Sequence, residues 1–371
     1  MKKTLIALLT LTGVASAANY TYVGAAPTAD GEPAPTAWAE SATNWRDENG
    51  NLLGTAGLLK DSANSGKVSG STFAISNAQA VKAGNNTGGF RGATVNIEQG
   101  GTLKIDAASA IYGANTTVNV NGKLVVNSGK TLGTTSAADG AATVNVLNGG
   151  ILESIGKIER TAVVVAEGGT LKVNADTHIG AAEITLKKGA QFIAHDDLKL
   201  KGTTFTLEET LTLGNTWLDS NSNTGSATFN LGENGKVAFG TLSLNHSTWG
   251  SNTYTLSAIC TNGNMAGDGD IVLFKRTLMT YSSLSNGSTD QLLSHIVGGE
   301  ITLGDETMTH VAGNAEFNES ALTEENVGQY RFLIEDNQLK VQYAAHLIPE
   351  PATATLSLLA LAGLVARRRR K

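Results

Sequence analysis

Through the middle of the chain, apolar and polar residues alternate, and glycine interrupts the alternation at intervals. The pattern is clearest in five segments: Ala93–Ile105, Thr117–Val126, Thr143–Leu152, Ala162–Val173 and Glu183–Ile193. Each opens apolar-x-apolar, turns at glycine and resumes with a second apolar stretch, and the period of two is that of β-strands. The first apolar positions are Val95, Val118, Val144, Val163 and Ile184, separated by 23, 26, 19 and 21 residues. Links between units are too short, and too rich in Gly, Thr and Asn, for crossover helices. An all-β fold is predicted, a right-handed parallel β-helix (solenoid) with turns of roughly 20–25 residues and stacked Val and Ile ladders inside. Asn96, Asn119 and Asn145 each follow the first Val by one residue, so parity puts them on the outside. Antiparallel hairpins turning at Gly100-Gly101 and Asn121-Gly122 are the alternative, which leaves a sandwich or meander open.

The flanks differ in texture. Residues 18–89 hold Trp38, Trp45, Pro27, Pro33 and Pro35 and read as an irregular N-terminal cap over the first turn. The repeat occupies 90–258 and weakens after Gly202, continuing in Phe205–Leu207, Leu211–Leu213, Ala227–Leu231, Val237–Phe239 and Leu242–Leu244. A C-terminal β region spans 259–345. In it, Ile271–Phe274 reads as a short buried strand and Gln291–Val297 as one or two helical turns. Tyr330–Ile334 and Gln338–Tyr343 read as a hairpin around Asp336-Asn337. Ala344–Ile348 reads as a spacer.

Both ends carry address-like patterns. Met1, Lys2 and Lys3 precede an apolar run from Thr4 to Val14 and the small-x-small element Ala15-Ser16-Ala17, a secretory signal peptide over 1–17 with its cut between Ala17 and Ala18. At the other end, residues 346–371 contain Pro349-Glu350-Pro351, an apolar run from Ala352 to Ala366, and Arg367, Arg368, Arg369, Arg370 and Lys371. A 15-residue helix spans about 22 Å, short of the roughly 20 residues of a full span. Leu356, Leu358, Leu359, Leu361, Leu364 and Val365 surround such a helix on all sides, so it is not amphipathic. It reads as a short C-terminal transmembrane helix whose terminal cations stay cytoplasmic.

The order of motif, short apolar helix and arginine cluster resembles the PEP-CTERM sorting signal of Gram-negative bacteria, over about the last two dozen residues. The resemblance implies export and transient inner-membrane anchoring. It also implies recognition at Pro349, Glu350 and Pro351 by an exosortase, a membrane cysteine transpeptidase, with delivery to the cell surface or extracellular matrix. The implied partners are that enzyme and the Sec export machinery. Trp38 to Trp45, with Asn44 beside the second, resembles the opening of autotransporter-like surface proteins. Two tryptophans packing a small core explain it equally well, and no set of C-terminal barrel strands follows.

Composition narrows the chemistry. Charged residues are 16%, against about a quarter in ordinary soluble domains. Removing Lys2, Lys3 and the five terminal cations, with no acid lost, takes the formal charge from −6 to −13. Such a body disfavours nucleic acid and anionic membranes. The lone Cys260 cannot form an internal disulfide and reads as a small buried residue. His178, His195, His246, His295, His310 and His346 show no zinc spacing. Gly267-Asp268-Gly269-Asp270 is a single copy in the wrong register for a calcium repeat. The neighbours Asp196-Asp197, Glu208-Glu209 and Glu324-Glu325 would point to opposite faces of a strand. No catalytic residue or cofactor is assigned. A structural or adhesive surface protein is the expectation, with surface polysaccharide a candidate ligand. The rival is a β-helix carbohydrate-active enzyme, for which acids from several turns would have to converge in one groove. A smooth face of Thr, Asn and Ser would favour the structural role.

Overall fold

The computed structural model describes residues 19–22, 45–51, 72–75, 80–83, 90, 92–105, 111–134, 136–174, 178–194, 198–214, 216–218, 226–243, 253–261, 263–267, 269–285, 287–311, 317 and 321–347. The alternation folds as a mostly β structure, a β-solenoid of about eight turns. Each complete turn contributes one strand to each of three faces. In one turn Ala142–Val146 lies on the first face, Ile151–Ser154 on the second and Lys157–Glu159 on the third. On the first face, from Thr94–Ile97 to Ser226–Leu231, stacked neighbours pair in parallel without a register shift. Val144 sits between Val118 and Val163, and Leu152 between Leu124 and Leu171. Register holds because a one-residue slip would expose every inward side chain.

Gly100-Gly101 and Asn121-Gly122 are corners between faces, not hairpin turns, because the strands they join pair in parallel with neighbouring turns. Gly149-Gly150 shows why two glycines recur there. Gly149 has φ +78°, a left-handed conformation that costs any L side chain. Gly150 passes so close to the previous turn that a Cβ would overlap the Val120 carbonyl oxygen.

Inside, the first face forms two ladders: Val95, Val118, Val144, Val163, Ile184, Phe205 and Phe229, and Ile97, Val120, Val146, Val165, Leu186, Leu207 and Leu231. Nearly all are completely buried. Along the axis the first ladder passes from Val and Ile to Phe205 and Phe229. The second face ends at Gln191–Ala194. In the next turns Thr210–Leu213 and Thr216–Leu218 both pair with the single strand Lys236–Ser243, so the second and third positions merge into one sheet. Phe205 stacks on Phe229 at 5.5 Å and meets Phe192 edge-on at 6.1 Å, filling the core.

Further strands add to both ends of the stack. The ladder begins before residue 90, with Thr72–Ile75 and Ala80–Ala83 already stacked on the following turn. Beyond it, Asn19–Tyr22 pairs parallel to Thr72–Ile75 and antiparallel to Trp45–Asp47. At the other end Ile271–Ser285 pairs parallel to Lys236–Ser243 and antiparallel to Gln338–His346. The expected hairpin is present: Gln329–Glu335 pairs antiparallel with Gln338–His346, and Asp336 and Asn337 both have positive φ in the turn.

Three local expectations shift. The strand at Ile271 runs on to Ser285, irregular in register at Thr277/Met279. The helix is Thr289–His295, starting earlier because Ser288 and Gln291 form a reciprocal capping box. It stops before Val297, which is drawn into the strand Ile296–Leu303. Ala344 and Ala345 are buried strand residues paired with Leu273 and Val272, so they are not a spacer. No helix among the described residues is long and apolar enough to cross a membrane.

Candidate functional site

Ala15, Ala17 and Ala18, Pro349, Glu350 and Pro351, the apolar run Ala352–Ala366, and Arg367, Arg368, Arg369, Arg370 and Lys371 all lie outside the described residues, as do His195, His246 and Asp196-Asp197. The described chain ends at Leu347, whose N–H donates to the Asp270 carbonyl at 2.9 Å.

The outer side of the first face is the most regular surface of the solenoid. Its first column runs Thr94, Thr117, Thr143, Ala162, Glu183, Thr204, Thr228 and Thr255. Its second runs Asn96, Asn119, Asn145, Val164, Thr185, Thr206, Asn230 and Ser257. Threonine suits such sites, because its branched Cβ favours the strand while its hydroxyl meets water. The asparagines do point outward, and they also join across turns. Asn119 Nδ2 donates to Asn96 Oδ1 and Asn145 Nδ2 to Asn119 Oδ1, each at 2.9 Å. Val164 ends that ladder.

At its C-terminal end this flat surface becomes concave. Thr253–Cys260 and Ile296–Leu303 pair with an irregularity between Leu256 and Ala258, where Gly299 and Glu300 stand against the single Ser257. The bulged strand stands beside a cavity of about 500 Å³ lined by Thr206, Asn230, Ser257, Ile259, Glu300 and Thr302 among others. The Glu300 N–H donates to Ser257 Oγ at 3.1 Å. Arg276 braces the floor, donating to the carbonyls of Ile259, Gly232 and Gly235. Sequence reasoning did not find this cavity; the only local signal was Gly298-Gly299 inside an otherwise strand-like run.

Charge gathers elsewhere. On the second face Glu153 accepts from Lys123 of the preceding turn at 2.7 Å and from Lys172 at 2.9 Å and Asn174 at 3.2 Å of the following one. The lysine hydrogen bonds, Lys123 first, hold its carboxyl down at about 2. Lys275 and Lys340 do the same for Glu335 at 2.7 and 2.8 Å, joining the terminal hairpin to Ile271–Ser285. Glu208 and Glu209 do not point to opposite faces, because they lie in the bend after Thr203–Leu207. Glu208 takes Lys187 and the Lys188 N–H, and Glu209 takes the Gly189 N–H. Glu324 is exposed, 3.2 Å from His346. His310 stacks on Tyr330 at 4.9 Å, and partial burial lowers its pKa. Cys260 is buried, and burial pushes its thiol up. Among the described residues no three His, Cys, Asp or Glu side chains gather as a metal site. Gly267 and Asp270 belong to a loop, with Gly267 at φ +105°.

No family model, curated protein or solved structure matches the chain. Fold and surface define a class, a parallel β-solenoid with a nearly uncharged outer face. The fold by itself carries no specific activity.

Proposed function

We propose that the chain is an exported cell-surface or extracellular-matrix protein with a structural or adhesive role. In this reading the Sec machinery exports it, residues 1–17 are removed, and Ala352–Ala366 with Arg367–Lys371 holds it briefly in the inner membrane. An exosortase then acts at Pro349-Glu350-Pro351. The solenoid winds right-handed, the sense that nearly all parallel crossovers take.

One observation carries the role: the long outer face of Thr, Asn and Ser. Its two described columns contain the carboxylate Glu183, and Glu300 stands at the bulged end. Four strand spacings separate the turns of these two, about 19 Å. Glycosidase carboxylates stand roughly 5–10 Å apart. The face therefore supports contact and display better than bond cleavage. Incubating the purified full-length chain with neutral and acidic polysaccharides tests this against the enzyme reading. No new reducing ends are expected, and saturable release of sugar would overturn the proposal.

A further inference from the structure

We propose that the concave end of the first face binds a neutral glycan chain, an inference that rests on the adhesive reading above. Thr206, Asn230 and Ser257 stand in register on successive turns, and the bulged strand carrying Glu300 and Thr302 forms a wall beside them. The row of four turns is about 14 Å long. The volume of about 500 Å³ lies within the roughly 300–1,000 Å³ of small-molecule sites.

The polar groups here are available in a way their upstream counterparts are not. Asn119, in the same column, spends its amide on Asn96 and Asn145. Asn230 has Thr206 and Ser257 as neighbours, and neither can continue an amide ladder. Ser257 Oγ accepts from the Glu300 N–H, which leaves its own O–H free to donate outward. The Glu300 side chain is exposed and offers two acceptor oxygens. Ile259, 45% exposed, supplies an apolar edge for the C–H face of a sugar ring.

Charge selects among polymers. The cavity is lined by one charged group, Glu300, and by no lysine or arginine. Arg276, outside that lining, donates to three carbonyls and keeps its charge. Anionic polysaccharides meet repulsion from Glu300 and from a chain of net charge −6, whereas a neutral chain finds hydroxyl and amide partners.

Affinity electrophoresis of the full-length protein tests the site, with gels containing dextran, soluble β-1,3-glucan or alginate. Retardation by at least one neutral glucan, and none by alginate, is expected. Asn230→Ala combined with Ser257→Ala should weaken retention about ten-fold by removing two neutral hydrogen bonds. Thr206→Lys, which projects a long side chain into the cavity, should abolish retention, while Thr94→Lys, which adds the same charge at the far end of the face, should leave it unchanged. Circular dichroism confirms that each variant folds. Retention by neither glucan, stronger retention by alginate, or retention insensitive to Thr206→Lys overturns the proposal. Surface delivery of the wild-type chain is scored separately by cell fractionation. A delivered chain that ignores the glucans sinks this site alone, and an undelivered chain sinks the reading on which it rests.

Discussion

Replacing Glu153 by glutamine removes one charge that ties three turns of the solenoid together. The carboxylate lies between Lys123 of the preceding turn and Lys172 of the following one, and its side chain is 15% exposed. Its ordinary value of 4.5 falls to about 2. Through linkage, that gap sets a ceiling of about 3.4 kcal/mol. The lysines are 42% and 43% exposed, so solvent screening brings the expected contribution to about 1 kcal/mol. The sign follows from the depressed pKa. The contribution is nearly complete above 4.5 and is lost as pH falls through about 2, below which wild-type Glu153 is itself neutral. Urea unfolding followed by circular dichroism at low salt should show wild type more stable than Glu153→Gln by about 1 kcal/mol at pH 7. The gap should shrink as pH is lowered toward 2 and close below it. A gap unchanged with pH, or none at pH 7, would refute the coupling.

Four further substitutions probe the fold. Gly150→Ala should cost about 1–3 kcal/mol by forcing a Cβ against the Val120 carbonyl. Gly149→Ala meets no neighbour within 4 Å and pays only the left-handed penalty of about 1 kcal/mol; paired urea titrations separate the two. Phe205→Ala removes a fully buried ring packed on Phe192 and Phe229 and should cost about 3–5 kcal/mol in the same assay. Ala181, at φ +48°, occupies the one-residue corner that is Gly202 in the next turn. Ala181→Gly should raise stability by about 0.5–1 kcal/mol, the strain relieved exceeding the added chain entropy; a lowered urea midpoint would contradict this.

The inward ladders were legible because period two fixes which side chains face the core, and because glycine marks the corners. Val95, Val118, Val144, Val163 and Ile184 stack as their spacing implies. Parity placed Asn96, Asn119 and Asn145 outside, but their mutual hydrogen bonds depend on inter-turn register, which irregular spacings of 19 to 26 residues leave undetermined. The merger of two faces after Ala194 was not legible. Thr210–Leu213 alternates like any strand of the second face, and only its pairing with Lys236–Ser243 shows otherwise. The concave site was hidden for the same reason, since it arises from a bulge between strands some forty residues apart. Glu208-Glu209 misled because strand parity was applied to residues in a bend.

The account rests most heavily on delivery outside the cell with both ends removed. Intact mass spectrometry of the protein recovered from the cell surface or matrix tests it directly. The prediction is a polypeptide that begins at Ala18 and lacks Arg367–Lys371, its C-terminus at or near Pro351. A surface-recovered chain still carrying the five terminal cations would contradict it.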